Sequence, residues 1–186
     1  MQNVNTSNLL TVENFSKLLN SFNCIKNTST IAVAVSSGVD SMNLLHISDI
    51  WAKKHKKNLY VISYNHNLRI ETFKEIHYVK EVSMKLGWQH KTLTWQKPAK
   101  KNILEKARIA RYQAISKFCK KKNISSILLG HHFDDMVETF CMRIIKSSRI
   151  DGLCPMVYNR RLFGLNLIRP FLNIKKKGNV FLCKFK

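Results

Sequence analysis

Apolar and polar positions along this chain follow two periods in turn. Thr30–Val35, Leu59–Tyr64 and Ser125–Leu129 are apolar or β-branched runs, with a weaker one near His90–Trp95, and each reads as a strand buried on both faces. Met42–His55, Thr72–Leu86 and Ile103–Lys121 lie between them with apolar residues at helical spacing, and Asp134–Lys146 repeats that spacing after the last strand. Val12–Phe22 reads as a preceding amphipathic helix. Strand and helix in alternation predict βαβ units, hence an α/β fold: a doubly wound, mainly parallel sheet with helices on both faces. Gly87 stands where a C-cap glycine belongs, and Pro98 interrupts a basic connection. From Arg149 to Arg169 the pattern is irregular, apart from a short alternating stretch ending in Leu167-Ile168-Arg169-Pro170-Phe171. Residues 1–174 are expected to form one domain, with 175–186 as a basic tail.

A chain of 186 residues is long enough for one domain with a real core. No apolar run approaches the roughly 18 residues of a membrane span, and the first thirty residues lack the apolar core of a secretory signal. Five cysteines, odd in number and without a C-x-x-C pair, suggest neither a disulfide framework nor a zinc or iron–sulfur clip. The expected location is the cytoplasm, or the equivalent compartment of an organelle. Charge changes the picture most: 32 Lys and Arg against 11 Asp and Glu give +21. That excess makes nucleic acid the first partner to consider, although a compositional lean toward lysine would produce it too.

Candidate chemistry sits where strands end. Ser36-Ser37-Gly38-Val39-Asp40-Ser41 leaves the first strand and opens a helix. In an open parallel sheet that place binds ligands. Small residues let backbone N–H groups approach a phosphate, and the helix N-terminus favours the anion. It is not a Walker A loop, since no lysine follows. Asp40 would repel phosphate unless a divalent cation lay between, so it is a candidate ligand for Mg²⁺. The same turn also reads as a simple helix cap through Asp40 or Ser41.

Gly130-His131-His132-Phe133-Asp134-Asp135-Met136-Val137-Glu138 again follows a strand and opens a helix, on the same rim. Asp134, Asp135 and Glu138 share a helix face, suited to a metal or a cationic amine. They also read as ordinary first-turn acids. In a chain with only 11 acids, their concentration within five residues favours function. Arg108 and Arg111, three apart on a helix, suit phosphates or form a solvated basic face.

These clusters, in this order, resemble the tRNA(Ile)-lysidine synthase family, N-type ATP pyrophosphatases with a PP-loop. "AVSSGVDSM" resembles its A-V-S-G-G-x-D-S loop, and "YNHNLR" (Tyr64–Arg69) its V-D-H-x-L-R segment. "EKARIARY" is similar to its A-R-x-x-R-Y helix, "GHHFDDMVET" with the stretch after it to its H-H-x-D-D-x-x-E-T segment and following R-x-x-x-G region, and "LIRPFL" to its I-R-P-L. The resemblance covers roughly residues 12–174.

It implies an enzyme that uses ATP to adenylate the wobble cytidine of a CAU anticodon in tRNA(Ile), and then lets L-lysine displace AMP at the C2 position. Carried over, Ser36, Ser37, Gly38, Val39, Asp40 and Ser41 would hold ATP and Mg²⁺, with His66 and Arg69 at the neighbouring rim. Asp40, His131, Asp135 and Glu138 would be catalytic, and Asp134, Arg108, Arg111 and Arg143 would bind substrate. The resemblance leaves a homodimer open. Ser37 replaces the loop's first glycine, placing a Cβ where the backbone is expected to need an unusual φ or a close phosphate approach. Asn65 replaces an aspartate and removes a charge. The family's D-P-[ST]-N and R-N-x-x-R segments are not visible before Lys186.

Overall fold

The computed structural model describes residues 11–67, 72–96, 102–145 and 156–174. Helix α1 (Val12–Ser21) and a short α2 (Asn23–Lys26) lead into β1 (Thr30–Ala34), followed by α3 (Val39–Lys54), β2 (Asn58–Asn65), α4 (Thr72–Lys85) and β3 (Gln89–Thr94). Helix α5 (Ile103–Lys121), β4 (Ser126–Leu128), α6 (Phe133–Ile145), β5 (Asn159–Leu162) and β6 (Leu165–Ile168) complete the order. One six-stranded sheet runs β3-β2-β1-β4-β6-β5. All neighbours are parallel except β5 against β6.

Side-chain alternation along β1 explains why both faces are covered. Ile31, Val33 and Val35 point into one core with Phe15, Leu44 and Trp51. Ala32 points into the other, with Ile62, Ile115 and Ile127. Helices α1 and α3 therefore seal one face and α5 the other. The edges carry polar side chains: β3 is half exposed along its length, and β5 presents Arg160 and Arg161, which discourages further strand pairing.

Helix ends follow local rules. Gly87 has φ +87, its N–H reaches Met84 O at 3.0 Å and the Trp88 N–H reaches Ser83 O at 2.9 Å. That is the Schellman pattern, with glycine in the left-handed position as expected. Asn123 (φ 56) ends α5 in the same way.

The irregular stretch after residue 149 holds an element the sequence reading missed. Strands β5 and β6 form a hairpin whose two central residues, Phe163 and Gly164, have φ values of 50 and 80. Two consecutive positive φ values make the tight turn that matches strand twist. Phe-Gly is an unusual pair for it, so the Asn-Gly or Asp-Gly signal was absent. Ser116 Oγ donates to Phe163 O at 2.6 Å and ties the turn to α5. Because β6 runs parallel to β4, residue 169 arrives at the rim where β1, β2 and β4 also end.

Among the described residues, no helix is long and apolar enough to cross a membrane. The expected basic tail, 175–186, lies outside them.

Candidate functional site

Loops leaving the carboxyl ends of β1, β2, β4 and β6 enclose a cavity of about 680 Å³. The first loop contributes Ser36, Gly38, Asp40 and Ser41. Its shape is held by Ser41, whose hydroxyl lies 2.7 Å from Ser36 O and 2.9 Å from Gly38 O and accepts the Ser36 N–H at 3.1 Å. Gly38 is the N-cap of α3 and brings no side-chain hydrogen bond to its first turn. The cap position is therefore held by a residue without a side chain rather than by Asp40 or Ser41, an arrangement compatible with an anion at the helix end.

Ser37 causes no backbone strain. The described non-glycine residues with positive φ are Lys56, Asn67, Asn102, Asn123 and Phe163, and Ser37 is not among them. Its side chain instead borders a separate cavity of about 40 Å³ beside Ser63 and Tyr64. Val39 is 61% exposed and does not line the main cavity.

The loop after β4 approaches the start of α3 closely. A Cβ at Gly130 would lie 3.3 Å from both Asp40 O and Ser41 Cα, so glycine here permits the two loops to meet. Next to it, His132 and Asp135 form a reciprocal cap on α6. The His132 N–H donates to Asp135 Oδ2 at 2.9 Å, and the Asp135 N–H donates to His132 Nδ1 at 3.4 Å. This is the logic of a capping box with histidine in the role usually taken by serine or threonine. With Nδ1 accepting, Nε2 carries the proton and faces Asp40 Oδ2 at 3.3 Å. His132, which the sequence reading passed over, thereby joins the two candidate loops.

The other expected residues divide. His131, Asp135, His66, Arg108 and Arg111 line the cavity. Glu138 does not; it is exposed farther along α6. Asp134 is exposed, with its carboxylate 3.5 Å from His132 Nδ1. Arg69 lies outside the described residues, and of Arg143 only the backbone, within α6, is described. Asn65, standing where the family pattern has aspartate, is buried and accepts the Asn67 N–H at 2.7 Å. It shapes the turn after β2 without needing a charge.

Arg169 is the main wall residue that the sequence reading left unassigned. In a chain with 32 cations, one arginine after an apolar run stands out only through the match of "LIRPFL" to I-R-P-L, which assigned it no role. It shares the cavity wall with Arg111 and Arg108, and with the carboxylates of Asp40, Glu75 and Asp135. Burial first, then Arg169 and Arg111, push the His131 imidazole down to about 4. Burial and then Arg111 lower His66 as well. Both rings are therefore neutral at neutral pH, and the Nδ1 atoms of both are buried without a partner. Orphaned polar atoms in a cavity wall are what a polar ligand would satisfy.

These shifts set a pH dependence. His131, His66 and His90, the last lowered chiefly by burial, all titrate below the ordinary 6.5. The unfolded chain then binds more protons than the folded one below that value. Their stabilisation is complete above pH 6.5 and is lost as pH falls through the lowered values, the last near 4. We expect the melting temperature to drop between pH 6.5 and 4, and His131→Gln to flatten that drop. A flat profile in the parent protein would refute the buried-neutral assignment.

Among the described residues, no group of three or more His, Cys, Asp or Glu is arranged to hold a metal ion. Asp40 alone fits a hard cation only in company with phosphate oxygens, the usual habit of Mg²⁺.

Residues 9–185 match the PP-loop domain model. The chain is 42% identical over 149 residues to a tRNA(Ile)-lysidine synthase of Wolbachia pipientis wMel, covering 78% of this chain and 35% of that one. It is 37% identical over 164 residues to a tRNA(Ile)-lysidine synthase of Rickettsia rickettsii (strain Sheila Smith), covering 88% and 33%. The chain thus spans about a third of the length of these curated relatives. Among solved structures, a U34-tRNA thiolase of Methanococcus maripaludis superposes with TM-score 0.75 at 15% identity, covering 90% of this chain and 60% of that one. An NAD+ synthetase of Burkholderia pseudomallei gives 0.55 at 9%, covering 93% and 66%. At such identities the likeness is one of fold, and it agrees with the doubly wound sheet.

Proposed function

The chain belongs to the PP-loop domain family, and on that footing we propose that it carries the catalytic domain of a tRNA(Ile)-lysidine synthase. In this reading it spends ATP to adenylate the wobble cytidine of a CAU anticodon and then joins L-lysine at the C2 position. The observation that carries the reading is the meeting of the two candidate loops in one cavity, with His132 Nε2 3.3 Å from Asp40 Oδ2 and Asp135 on the same wall.

The triphosphate lies against Ser36–Ser41 and the open end of α3, with Arg108 and Arg111 offsetting its charge. The cytidine carbonyl oxygen attacks the α-phosphorus, and the bond to pyrophosphate breaks. Asp40 would be the residue to hold a Mg²⁺ ion, which would supply charge neutralisation at the leaving group. Hydrogen bonding to His132 keeps the Asp40 carboxylate turned toward the cavity. Asp135 attracts the lysine ε-ammonium and, beside neutral His131, receives the proton that the amine sheds as it displaces AMP. Asp134 and Glu138, both exposed, add negative potential near the start of α6, where the cationic substrate approaches.

The test is incorporation of labelled lysine into a CAU-anticodon tRNA(Ile) transcript with ATP and Mg²⁺, using a tRNA(Met) with the same anticodon as control. Selective incorporation is the expected result. Folded protein that binds ATP yet transfers no lysine would favour a second reading, suggested by the net charge of +21: a basic tRNA-binding module without turnover.

A further inference from the structure

Arg169 is only 3% exposed, at the rim end of β6, and it lines the cavity. Its Nη1 donates to Val157 O at 2.9 Å, the Tyr112 hydroxyl is a further neighbour, and Nε–H has no partner. Among the described residues no carboxylate forms an ion pair with it. Two arginines, Arg108 and Arg160, act on it unfavourably, while Asp40, Glu75 and Asp135 line the same cavity. A buried guanidinium with no ion-pair partner and two arginines acting against it is costly unless something anionic joins it. Simple packing would be served better by a methionine or leucine.

We propose that Arg169 is the inner anchor of a phosphate site, engaging the terminal phosphates of the nucleotide and holding them as they depart as pyrophosphate. It rests on the reading above in taking a nucleoside triphosphate as substrate and an adenylation that releases pyrophosphate. During adenylation the cytidine oxygen forms a bond to the α-phosphorus, the bond from that phosphorus to the bridging oxygen breaks, and the electron pair leaves on pyrophosphate. A planar fork with unused donors is suited to that growing charge.

Depth separates this arginine from the other two. Arg108 is exposed and Arg111 partly buried on α5, whereas Arg169 lies deep. A polynucleotide backbone stays at the surface, but a triphosphate tail can enter a cavity of about 680 Å³. The β6 position also places Arg169 across β4 from the Ser36–Ser41 loop, because the sheet order is β1-β4-β6 on that side. Phosphates resting on the loop would be approached from two directions.

The experiment is calorimetric titration of the full chain and its Arg169→Gln and Arg169→Lys variants with inorganic pyrophosphate, with adenosine and with a CAU-anticodon tRNA. Arg169→Gln is expected to weaken pyrophosphate roughly 10–100-fold, the loss of a charge-assisted bidentate contact. Arg169→Lys should weaken it less, and adenosine and tRNA affinities should hold. Equal loss of adenosine and pyrophosphate would make Arg169 a structural residue and overturn the proposal. Unchanged pyrophosphate with weakened tRNA would overturn it in favour of an RNA phosphate, and a parent chain that ignores pyrophosphate would also end it. If Arg169→Gln does not fold, the lysine variant decides on the same criteria. A parent that binds pyrophosphate through Arg169 but transfers no lysine would leave this site standing while the ligase reading falls.

Discussion

Replacing Asp40 by alanine is expected to lower the rate of tRNA adenylation by at least about 10²–10³-fold, the cost of removing one electrostatic contact from a transition state, while leaving tRNA affinity essentially unchanged. Asp40 lies in the first turn of α3, on the cavity wall, with its Oδ2 3.3 Å from His132 Nε2. Its charge sits where phosphates would otherwise be welcomed, so its presence makes physical sense with a cation between. Asp40→Asn keeps an acceptor for His132 but loses the negative charge. Both variants should therefore lose adenylation, and only the alanine should loosen the connection between the two loops. Single-turnover formation of the adenylate, with tRNA filter binding in parallel, reads both quantities. Normal adenylation by Asp40→Asn would remove the cation from the argument.

The second large effect is expected at Asp135, where structure and proposed chemistry overlap. Its carboxylate accepts the His132 N–H at 2.9 Å and so caps α6, while the same residue lines the cavity. Asp135→Ala should cost about 1 kcal/mol of stability through the lost cap and also abolish lysine transfer. Asp135→Asn retains a capping oxygen, so its unfolding midpoint should stay near that of the parent, yet lysine transfer should fall by about two orders of magnitude or more, within the range for losing a positioned acid–base group. Denaturant melts and labelled-lysine transfer on the same preparations separate the two roles. Full transfer by Asp135→Asn would reduce Asp135 to a helix cap, the plainer of the two readings that the sequence permitted.

Glu138 illustrates the limit of reasoning from helix periodicity. Spacing along α6 put it near Asp134 and Asp135, but of these three only Asp135 lines the cavity, and Asp134 and Glu138, four apart, are both exposed. Asp134 and Asp135 are adjacent in sequence and differ in exposure because one points along the wall and the other outward. Shared spacing fixes relative direction on a helix, and the packing of that helix decides which direction is inside.

The parallel sheet and its covering helices were legible in the chain because burial on both faces demands unbroken apolar runs, and helices packed on one side demand a 3.6-residue repeat. Loops at strand ends were legible for the same reason: a Ser/Gly/Asp turn after a buried strand has few places to lie except the rim. Contacts between distant segments were not. The approach of Gly130 to Asp40, the contact of His132 with Asp40, and the arrival of Arg169 at the same cavity depend on strand order and on a hairpin turned by Phe163-Gly164. Local pattern encodes which way a residue faces along its own element. Which residues from other elements stand opposite it follows from how the whole sheet is assembled, and that is where the cavity acquires its charge and its depth.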